Sequence, residues 1–324
     1  IGSSASAFGK SSNASGSNST ALGADSQSTG SYSTSVGYFA TASGNYSISI
    51  GGGTGGSGAD ASSVASISIG YNSEATSGHS IGMGSNVSAS GSSSVSIGPN
   101  ATANTTNASA LGYLSSATGT KSTSIGPESS ASNYKSTSLG NSAISTGMGG
   151  TALGGHTTAQ GTYSTASGYS ASATGIYSTV TGSASSASGA YSTVAGTNSN
   201  ASGDFSTALG NSSSASYAYS TAVGYNASTT AINQIAIGNA NANVTVAGTL
   251  DVTGDTSVTT FDSSGVTQLA TGGGATTAGG DLTVSGATTL SSTLGVTSAA
   301  TLSSTLDVSG DTSVTTFDSS GVTQ

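Results

Sequence analysis

The sequence predicts an all-β fold, a parallel β-roll or solenoid built from coils of fourteen residues. Three observations predict it: glycines recur every seven residues, large aliphatic residues recur every fourteen, and only 5% of the residues are charged, against about 25% in an ordinary domain. A flexible Gly/Ser linker would share this composition but not its register. Because such a short repeat cannot bury its own apolar face, successive coils must stack on one another.

The glycine spacing defines the corners of each coil. Glycines stand seven apart through the first 51 residues, and after a Gly-rich interruption near 52–65 the spacing resumes in a shifted frame. Glycine permits backbone angles that other residues resist at a tight corner. We therefore expect strands of about five residues alternating with corners, and structural corner glycines that include Gly23, Gly37, Gly98, Gly126, Gly168, Gly196 and Gly224.

The residue before each glycine alternates between a large aliphatic residue and a small or polar one, which doubles the period to fourteen. Leu22, Ile97 and Leu209 are examples of the aliphatic slot. Two residues before it stands Thr, Ile or Val, the β-branched types that suit a pleated ladder, and we expect threonine there to be buried. Because so thin a rod has little interior, we also expect several chains to associate along the aliphatic stripe.

A different repeat begins near residue 242. Leu-x-Val triplets recur every twelve residues, and residues 251–268 recur as 307–324 with one change, an offset of 56 residues. Short strands of this kind need partners from other chains. The pattern predicts two segments: a head β-roll over 1–241, and a repetitive β-shaft over 242–324 that stops within a 56-residue repeat.

Aromatic residues form a further periodic set at one predicted edge. They fall fourteen apart, each two residues after a glycine slot, so their rings should stack as one ladder. In the simpler interpretation the stacked rings only stabilise the solenoid. In the alternative the exposed rings bind glycan or protein. The candidate surface-binding ladder is Tyr163, Tyr177, Tyr191, Phe205 and Tyr219.

Composition argues against several classes of function. Three lysines, no arginine and a net charge of -9 do not suit nucleic acid, and the absence of cysteine leaves no thiolate metal site. No apolar run is long enough for a membrane helix, so we expect no membrane insertion by this segment. His79, His156 and the scattered acids form no catalytic constellation. We predict no enzymatic activity, no cofactor and no metal site; the acids of 242–324 are interpreted as solvated turn caps in preference to calcium ligands.

Several strand-and-corner segments resemble a known family. Tyr32-Ser-Thr-Ser-Val-Gly, Ser66-Ile-Ser-Ile-Gly, Ser94-Val-Ser-Ile-Gly, Phe205-Ser-Thr-Ala-Leu-Gly and Tyr219-Ser-Thr-Ala-Val-Gly are similar to the head repeats of trimeric autotransporter adhesins, the YadA-like head. The resemblance implies a left-handed parallel β-roll that packs as a homotrimer and binds host surfaces. The same repeats occur in bacteriophage tail fibres, and the segment 242–324 resembles the β-spiral shafts of phage and viral fibres.

The leading hypothesis is a structural fibre and adhesin that attaches to a host or neighbouring cell-surface protein or glycan, located outside the cell or at its surface. The alternative is a bacteriophage tail or appendage fibre for receptor binding, located on the virion. A minor alternative is a monomeric ice-binding solenoid, because threonine ladders at constant spacing can template ordered water. A depolymerase would need carboxylates clustered on one face, which the head lacks.

Overall fold

The computed structural model describes residues 2–54 and 57–253, together with 284, 288, 295, 296, 300 and 301. Every regular element in this part of the chain is a β-strand, and the prediction of an all-β parallel solenoid is confirmed. The chain divides into two compact units, Ile1–Thr249 and Leu250–Gln324. The predicted twelve-residue shaft repeats lie mostly outside the described residues.

One strand of each coil has three residues, and these strands stack into a parallel sheet of seventeen among the described residues. The strands are β1 Ser6–Phe8, β3 Thr20–Leu22, β5 Thr34–Val36, β7 Ile48–Ile50, β9 Ile67–Ile69, β11 Ile81–Met83, β13 Val95–Ile97, β15 Ser109–Leu111, β17 Thr123–Ile125, β19 Thr137–Leu139, β21 Thr151–Leu153, β23 Thr165–Ser167, β25 Thr179–Thr181, β27 Thr193–Ala195, β29 Thr207–Leu209, β31 Thr221–Val223 and β32 Ile235–Ile237.

The other strand of each coil has two residues, and fifteen of these form a second parallel sheet in the described part of the chain. The strands are β2 Asn13–Ala14, β4 Gln27–Ser28, β6 Thr41–Ala42, β8 Asp60–Ala61, β10 Glu74–Ala75, β12 Ser88–Ala89, β14 Thr102–Ala103, β16 Ser116–Ala117, β18 Ser130–Ala131, β20 Ile144–Ser145, β22 Thr158–Ala159, β24 Ser172–Ala173, β26 Ser186–Ala187, β28 Asn200–Ala201 and β30 Ser214–Ala215.

The register equals the sequence period. Thr123 pairs with Thr137 and Ile125 with Leu139, fourteen residues on in each case. The Gly-rich interruption changes one coil only, where Ile48 pairs with Ile67 and the coil therefore holds five extra residues. Each position of the repeat thus becomes a column of stacked side chains along the solenoid, which is what makes a ladder possible.

Strands of about five residues were predicted, and this is wrong because the corners take up more of the repeat than a single glycine. The second residue after each glycine slot has a left-handed conformation, as at Tyr177 with φ 55° and Asn198 with φ 56°. The serine that follows then closes the turn: Ser178 Oγ donates to Gly175 O at 2.7 Å and Ser192 Oγ to Gly189 O at 2.6 Å. The sequence analysis assigned no role to these serines.

The interior holds alanine and serine, not the large aliphatic residues. The central residue of a three-residue strand points inward, and Ala166, Ser124 and Val180 are all fully buried there. Hydroxyl pairs join a buried strand serine to the serine that ends the following corner, as between Ser28 Oγ and Ser33 Oγ at 2.6 Å and between Ser124 Oγ and Ser129 Oγ at 2.7 Å. Side chains of this size suit a space bounded by two sheets and closely spaced corners.

The expectation that the column-forming threonines are buried is wrong. The first and third residues of each three-residue strand point outward because side chains alternate along a strand and the central residue points inward. Thr179 and Thr193 are exposed, and Thr165 and Thr207 are half-buried. The aliphatic residues share this outward face: Leu22 is 48% exposed and Ile237 58%.

Candidate binding surfaces

The outward side of the three-residue sheet is the first candidate surface, called here the aliphatic face. It comprises the first and third residues of the three-residue strands, so it presents two parallel columns of side chains. Ile50, Ile125 and Leu209 lie in the second column and are 39%, 39% and 47% exposed. The second column is aliphatic in each described coil from Leu22 to Leu153, and contiguous exposed apolar surface marks interaction sites.

The aliphatic column is interrupted over three successive coils. Ser167, Thr181 and Ala195 occupy the slots that hold aliphatic residues elsewhere. In two of these coils the buried central residue is enlarged instead, to Val180 and Val194. In these two coils the larger apolar side chain therefore lies in the interior and not on the outward face. Along residues 167–195 the outward face carries no large aliphatic side chain in its second column.

The second candidate surface is the aromatic ladder formed by Tyr163, Tyr177, Tyr191, Phe205 and Tyr219. Ring centroids of successive members lie 4.9 to 5.3 Å apart, with planes inclined by 2° to 18°. Backbone hydrogen bonds tie the corners together, as from Tyr177 N to Thr162 O at 2.9 Å. The rings are about half exposed. Because each ring face covers the next, the ladder presents ring edges and tyrosine hydroxyls to solvent.

The ladder members all lie at left-handed corner positions, where a bulky residue is disfavoured. Stacking with the rings above and below offsets that strain. The same column begins earlier than the sequence analysis placed it, because Tyr32 and Tyr46 also stack, with centroids 5.2 Å apart and planes at 3°. Their fourteen-residue spacing and their place two residues after Gly30 and Gly44 were the signal that could have identified them.

We expect Tyr191→Ala to lower the free energy of unfolding by about 1–3 kcal/mol, because Tyr191 stacks on both Tyr177 and Phe205 and each aromatic pair contributes about 0.5–1.5 kcal/mol. Equilibrium denaturation followed by circular dichroism measures the change. Tyr191→Phe is the matched control, because it keeps both stacked pairs and should lie within about 0.5 kcal/mol of the parent chain. Equal loss in the two variants would contradict a stabilising role for stacking.

The two histidines lie at corners. His79 and His156 both have left-handed backbone angles, with φ 58° and 54°. The His156 ring meets Tyr169 edge-on, with centroids 5.5 Å apart. Within the described residues, no group of three or more His, Cys, Asp or Glu side chains is arranged to hold a metal ion.

A polar cavity lies beside the Gly-rich interruption. Its volume is about 470 Å³, and its lining includes Asp60, Asn72 and Glu74. Asp60 and Glu74 are register partners on the neighbouring strands β8 and β10. Burial raises the pKa of the Asp60 carboxyl above its ordinary value, and the nearby Glu74 carboxylate raises it further, while a hydrogen bond with Ser62 acts in the opposite direction. The sequence analysis did not identify this pair.

Because the pKa of Asp60 is raised in the folded chain, we expect the contribution of Asp60 to the free energy of unfolding to fall as the pH rises. Between the ordinary aspartate pKa of about 3.9 and the raised value, the folded chain binds more protons than the unfolded chain, so each increment of pH lowers the free energy of unfolding. We expect Asp60→Asn to remove this component and Glu74→Gln to reduce it. Denaturation of all three proteins between about pH 3 and pH 7 measures it. A difference between parent and Asp60→Asn that does not vary with pH would contradict the assignment.

The geometry defines the class of protein: a repeat β-solenoid with a small-residue interior, an exposed aliphatic face and a stacked aromatic edge. None of its described residues belongs to a helix long and apolar enough to cross a membrane. A family profile, the YadA head domain repeat, matches residues 1–26, 28–54, 89–115, 117–143, 131–157, 145–171, 159–185 and 187–213, together more than half of the chain. The chain therefore belongs to the YadA-like head family, a family of adhesins of the trimeric autotransporter type.

A solved structure is also similar to this chain. It is the collagen-binding domain of the Yersinia adhesin YadA, with 23% sequence identity over 60% of this chain and 76% of that chain, and a TM-score of 0.20. No curated protein matches the chain.

Proposed function

We propose that this chain forms part of a homotrimeric, non-catalytic adhesin outside the cell or at its surface, which attaches to a protein or glycan of another cell. Membership of the YadA-like head family supports the adhesin class. The proposed head spans 1–241 and the proposed shaft 242–324. In this arrangement the stacked coils set the reach of the fibre and the exposed edges carry the binding contacts.

The observation that carries the trimer is the aliphatic face. Met83, Ile125 and Leu209 remain 37–47% exposed in the single chain, whereas the interior is filled by alanine and serine. A thin solenoid buries little apolar surface of its own. Full burial of an exposed aliphatic side chain contributes about 1.5–3 kcal/mol, so burying the remaining exposed fraction of each of these against a neighbouring chain would contribute about 0.6–1.4 kcal/mol. Three copies related by a closed rotation can cover this face on every chain.

The solution mass tests the trimer. Size-exclusion chromatography coupled to light scattering should give three times the chain mass of 30.3 kDa and an elongated elution profile. A mass of one chain would overturn the trimer.

Attachment is a separate test: beads coated with the chain should adhere to cultured cells, and beads coated with an unrelated protein of similar charge should not. Equal adherence would overturn the adhesin function.

A second candidate is ice binding by a monomer, favoured by one observation. Eight successive threonines of the first outward column, none of them buried, stack at fourteen-residue spacing: Thr123, Thr137, Thr151, Thr165, Thr179, Thr193, Thr207 and Thr221. These threonines share the face that a trimer would cover, so the two functions exclude each other there. Inhibition of ice recrystallisation by a chain of monomeric mass would favour ice binding; a trimer without that activity would exclude it.

A further inference from the structure

The corner column that holds the aromatic ladder also holds two of the three lysines of the chain. Lys121 and Lys135 lie at the same left-handed corner position as Tyr163, and Gly149 lies between Lys135 and the ladder. The corner rungs are continuous, with hydrogen bonds from Gly149 N to Tyr134 O at 2.8 Å and from Tyr163 N to Met148 O at 2.7 Å. The lysines, Gly149 and the rings thus form one edge eight rungs long, from Lys121 to Tyr219.

Gly149 does not leave a gap in this edge. A Cβ atom added to Gly149 would lie 2.7 Å from Cδ1 of Tyr163, so the Tyr163 ring covers the Gly149 backbone. The ring of Tyr134, the residue before Lys135, is near both ammonium groups, with its centroid 5.9 Å from Lys121 Nζ and 5.1 Å from Lys135 Nζ. The cationic group of side chains at Lys121, Tyr134 and Lys135 and the aromatic ladder therefore lie on one edge, with only Gly149 between them.

Two like charges on neighbouring rungs repel each other and destabilise the sheet edge. The Tyr134 ring offsets part of this through cation–π attraction. Among the described residues, Asp204 is the acid beside this column, and it lies next to Phe205 at the other end of the ladder. Glu128 belongs to the opposite corner series, two residues after Gly126. An anionic ligand would relieve the repulsion between the two lysines. Two of the three lysines of the chain lie at this place.

The remainder of the edge fits a repeating polymer. Half-exposed ring edges repeat at about 5 Å, which is comparable with one sugar unit of an extended polysaccharide. Hydroxyls accompany the rings of Tyr163, Tyr177 and Tyr191 in succession, and that of Tyr219 after Phe205. A specific protein partner needs about 800 Å² on each side of an interface. A ridge one side chain wide supplies this poorly, whereas it can align with a single glycan strand.

We propose that this edge, Lys121 to Tyr219 with Tyr134, binds an acidic polysaccharide. Carboxylate or sulfate groups of the polymer pair with Lys121 and Lys135, and sugar hydroxyls exchange hydrogen bonds with the tyrosine hydroxyls while the sugar ring packs on the aromatic edges. The inference rests on the proposed adhesin function and names the class of ligand that it would attach to.

Binding of the full chain to immobilised heparin, hyaluronan and dextran tests the proposal. Heparin offers sulfates, hyaluronan offers carboxylates alone, and dextran is neutral, so the three probes identify the acidic group. We expect binding to heparin or hyaluronan that weakens as salt is added, and no binding to dextran. Binding to neither acidic polymer, or equal binding to dextran, would overturn the proposal.

Three variants localise the site. Lys121→Gln with Lys135→Gln should weaken binding about tenfold or more through loss of two charge-assisted contacts. Tyr177→Phe with Tyr191→Phe keeps the stack and removes two hydroxyls, and it should weaken binding by several-fold. Lys10→Gln is the control for charge removal, since it removes one positive charge away from this column. Equal affinity in all three variants, or an equal loss in Lys10→Gln, would overturn the proposal. Unchanged circular dichroism and solution mass establish that the variants fold.

Attachment to cells separates the two proposals. If the lysine double variant adheres to cells as well as the parent chain does, or if protease treatment of the cells abolishes adherence while removal of acidic glycans does not, the polysaccharide proposal fails and the adhesin function stands. If the parent chain adheres to no cell and to no acidic polymer, both fail. Loss of adherence on removal of acidic glycans, with the lysine variant already weak, supports both.

Discussion

Gly196→Ala should lower the free energy of unfolding by about 3 kcal/mol or more. Gly196 has φ 150°, in a region that L side chains rarely adopt. A Cβ atom there would lie 2.3 Å from the Gly210 carbonyl oxygen of the next coil and 2.7 Å from Ser199 Oγ. The first neighbour is backbone, so relief requires the two coils to separate, and the ladder of hydrogen bonds must break locally.

Gly155→Ala is the matched control for this substitution. Gly155 has no positive φ that disfavours alanine, and an added Cβ would meet only the Tyr169 ring at 3.4 Å and the Asn141 carbonyl at 3.9 Å. Thermal or denaturant unfolding followed by circular dichroism should place Gly155→Ala within about 0.5 kcal/mol of the parent chain. If both variants are equally stable, close stacking of the corners does not govern stability. The difference between Gly196→Ala and Gly155→Ala therefore tests the structural role predicted for the corner glycines. These are Gly23, Gly37, Gly98, Gly126, Gly168, Gly196 and Gly224.

Ile125→Asp should convert a trimer into monomers without unfolding the chain. Ile125 is 39% exposed on the aliphatic face, so the isolated solenoid tolerates a carboxylate there. In the proposed trimer the same substitution places three carboxylates at one layer of the interface, and each uncompensated buried charge costs several kcal/mol. Light scattering should show the mass fall from three chains to one, while the circular dichroism spectrum stays that of a β-solenoid.

Gln160→Glu is the control for this experiment, because it adds the same charge at an exposed residue next to β22 of the two-residue sheet. It should leave the mass unchanged. A threefold mass that survives Ile125→Asp would contradict burial of the aliphatic face between chains and would direct attention to another surface. A parent chain of monomeric mass would have excluded the trimer before the variant was made.

The sequence could predict the fold because every coil repeats the same constraints. Seven-residue glycine spacing, fourteen-residue aliphatic spacing and the residues of the family resemblance all point to one stacked parallel solenoid, and the register of β17 with β19 follows directly from the period. The positions of Tyr163 and Tyr177 in one column follow for the same reason.

Side-chain direction could not be predicted in the same way. Alternation along a strand states that Thr179 and Thr181 share a face but not whether that face is inside or outside. The inference that threonine is buried rested on its sharing a position with Ile and Val. The structure places Ser124 and Ala166 in the interior instead, because closely spaced sheets and corners admit only small side chains in most coils.

The sequence by itself determined the fold class, the period, the columns and the family of this protein, since these depend on residue spacing that stacking repeats from coil to coil. The tertiary structure alone decided which columns are exposed, that the Tyr134 ring lies near both Lys121 and Lys135, and that burial and Glu74 together raise the pKa of Asp60. These depend on distances across the coil and between neighbouring coils, which linear spacing does not contain.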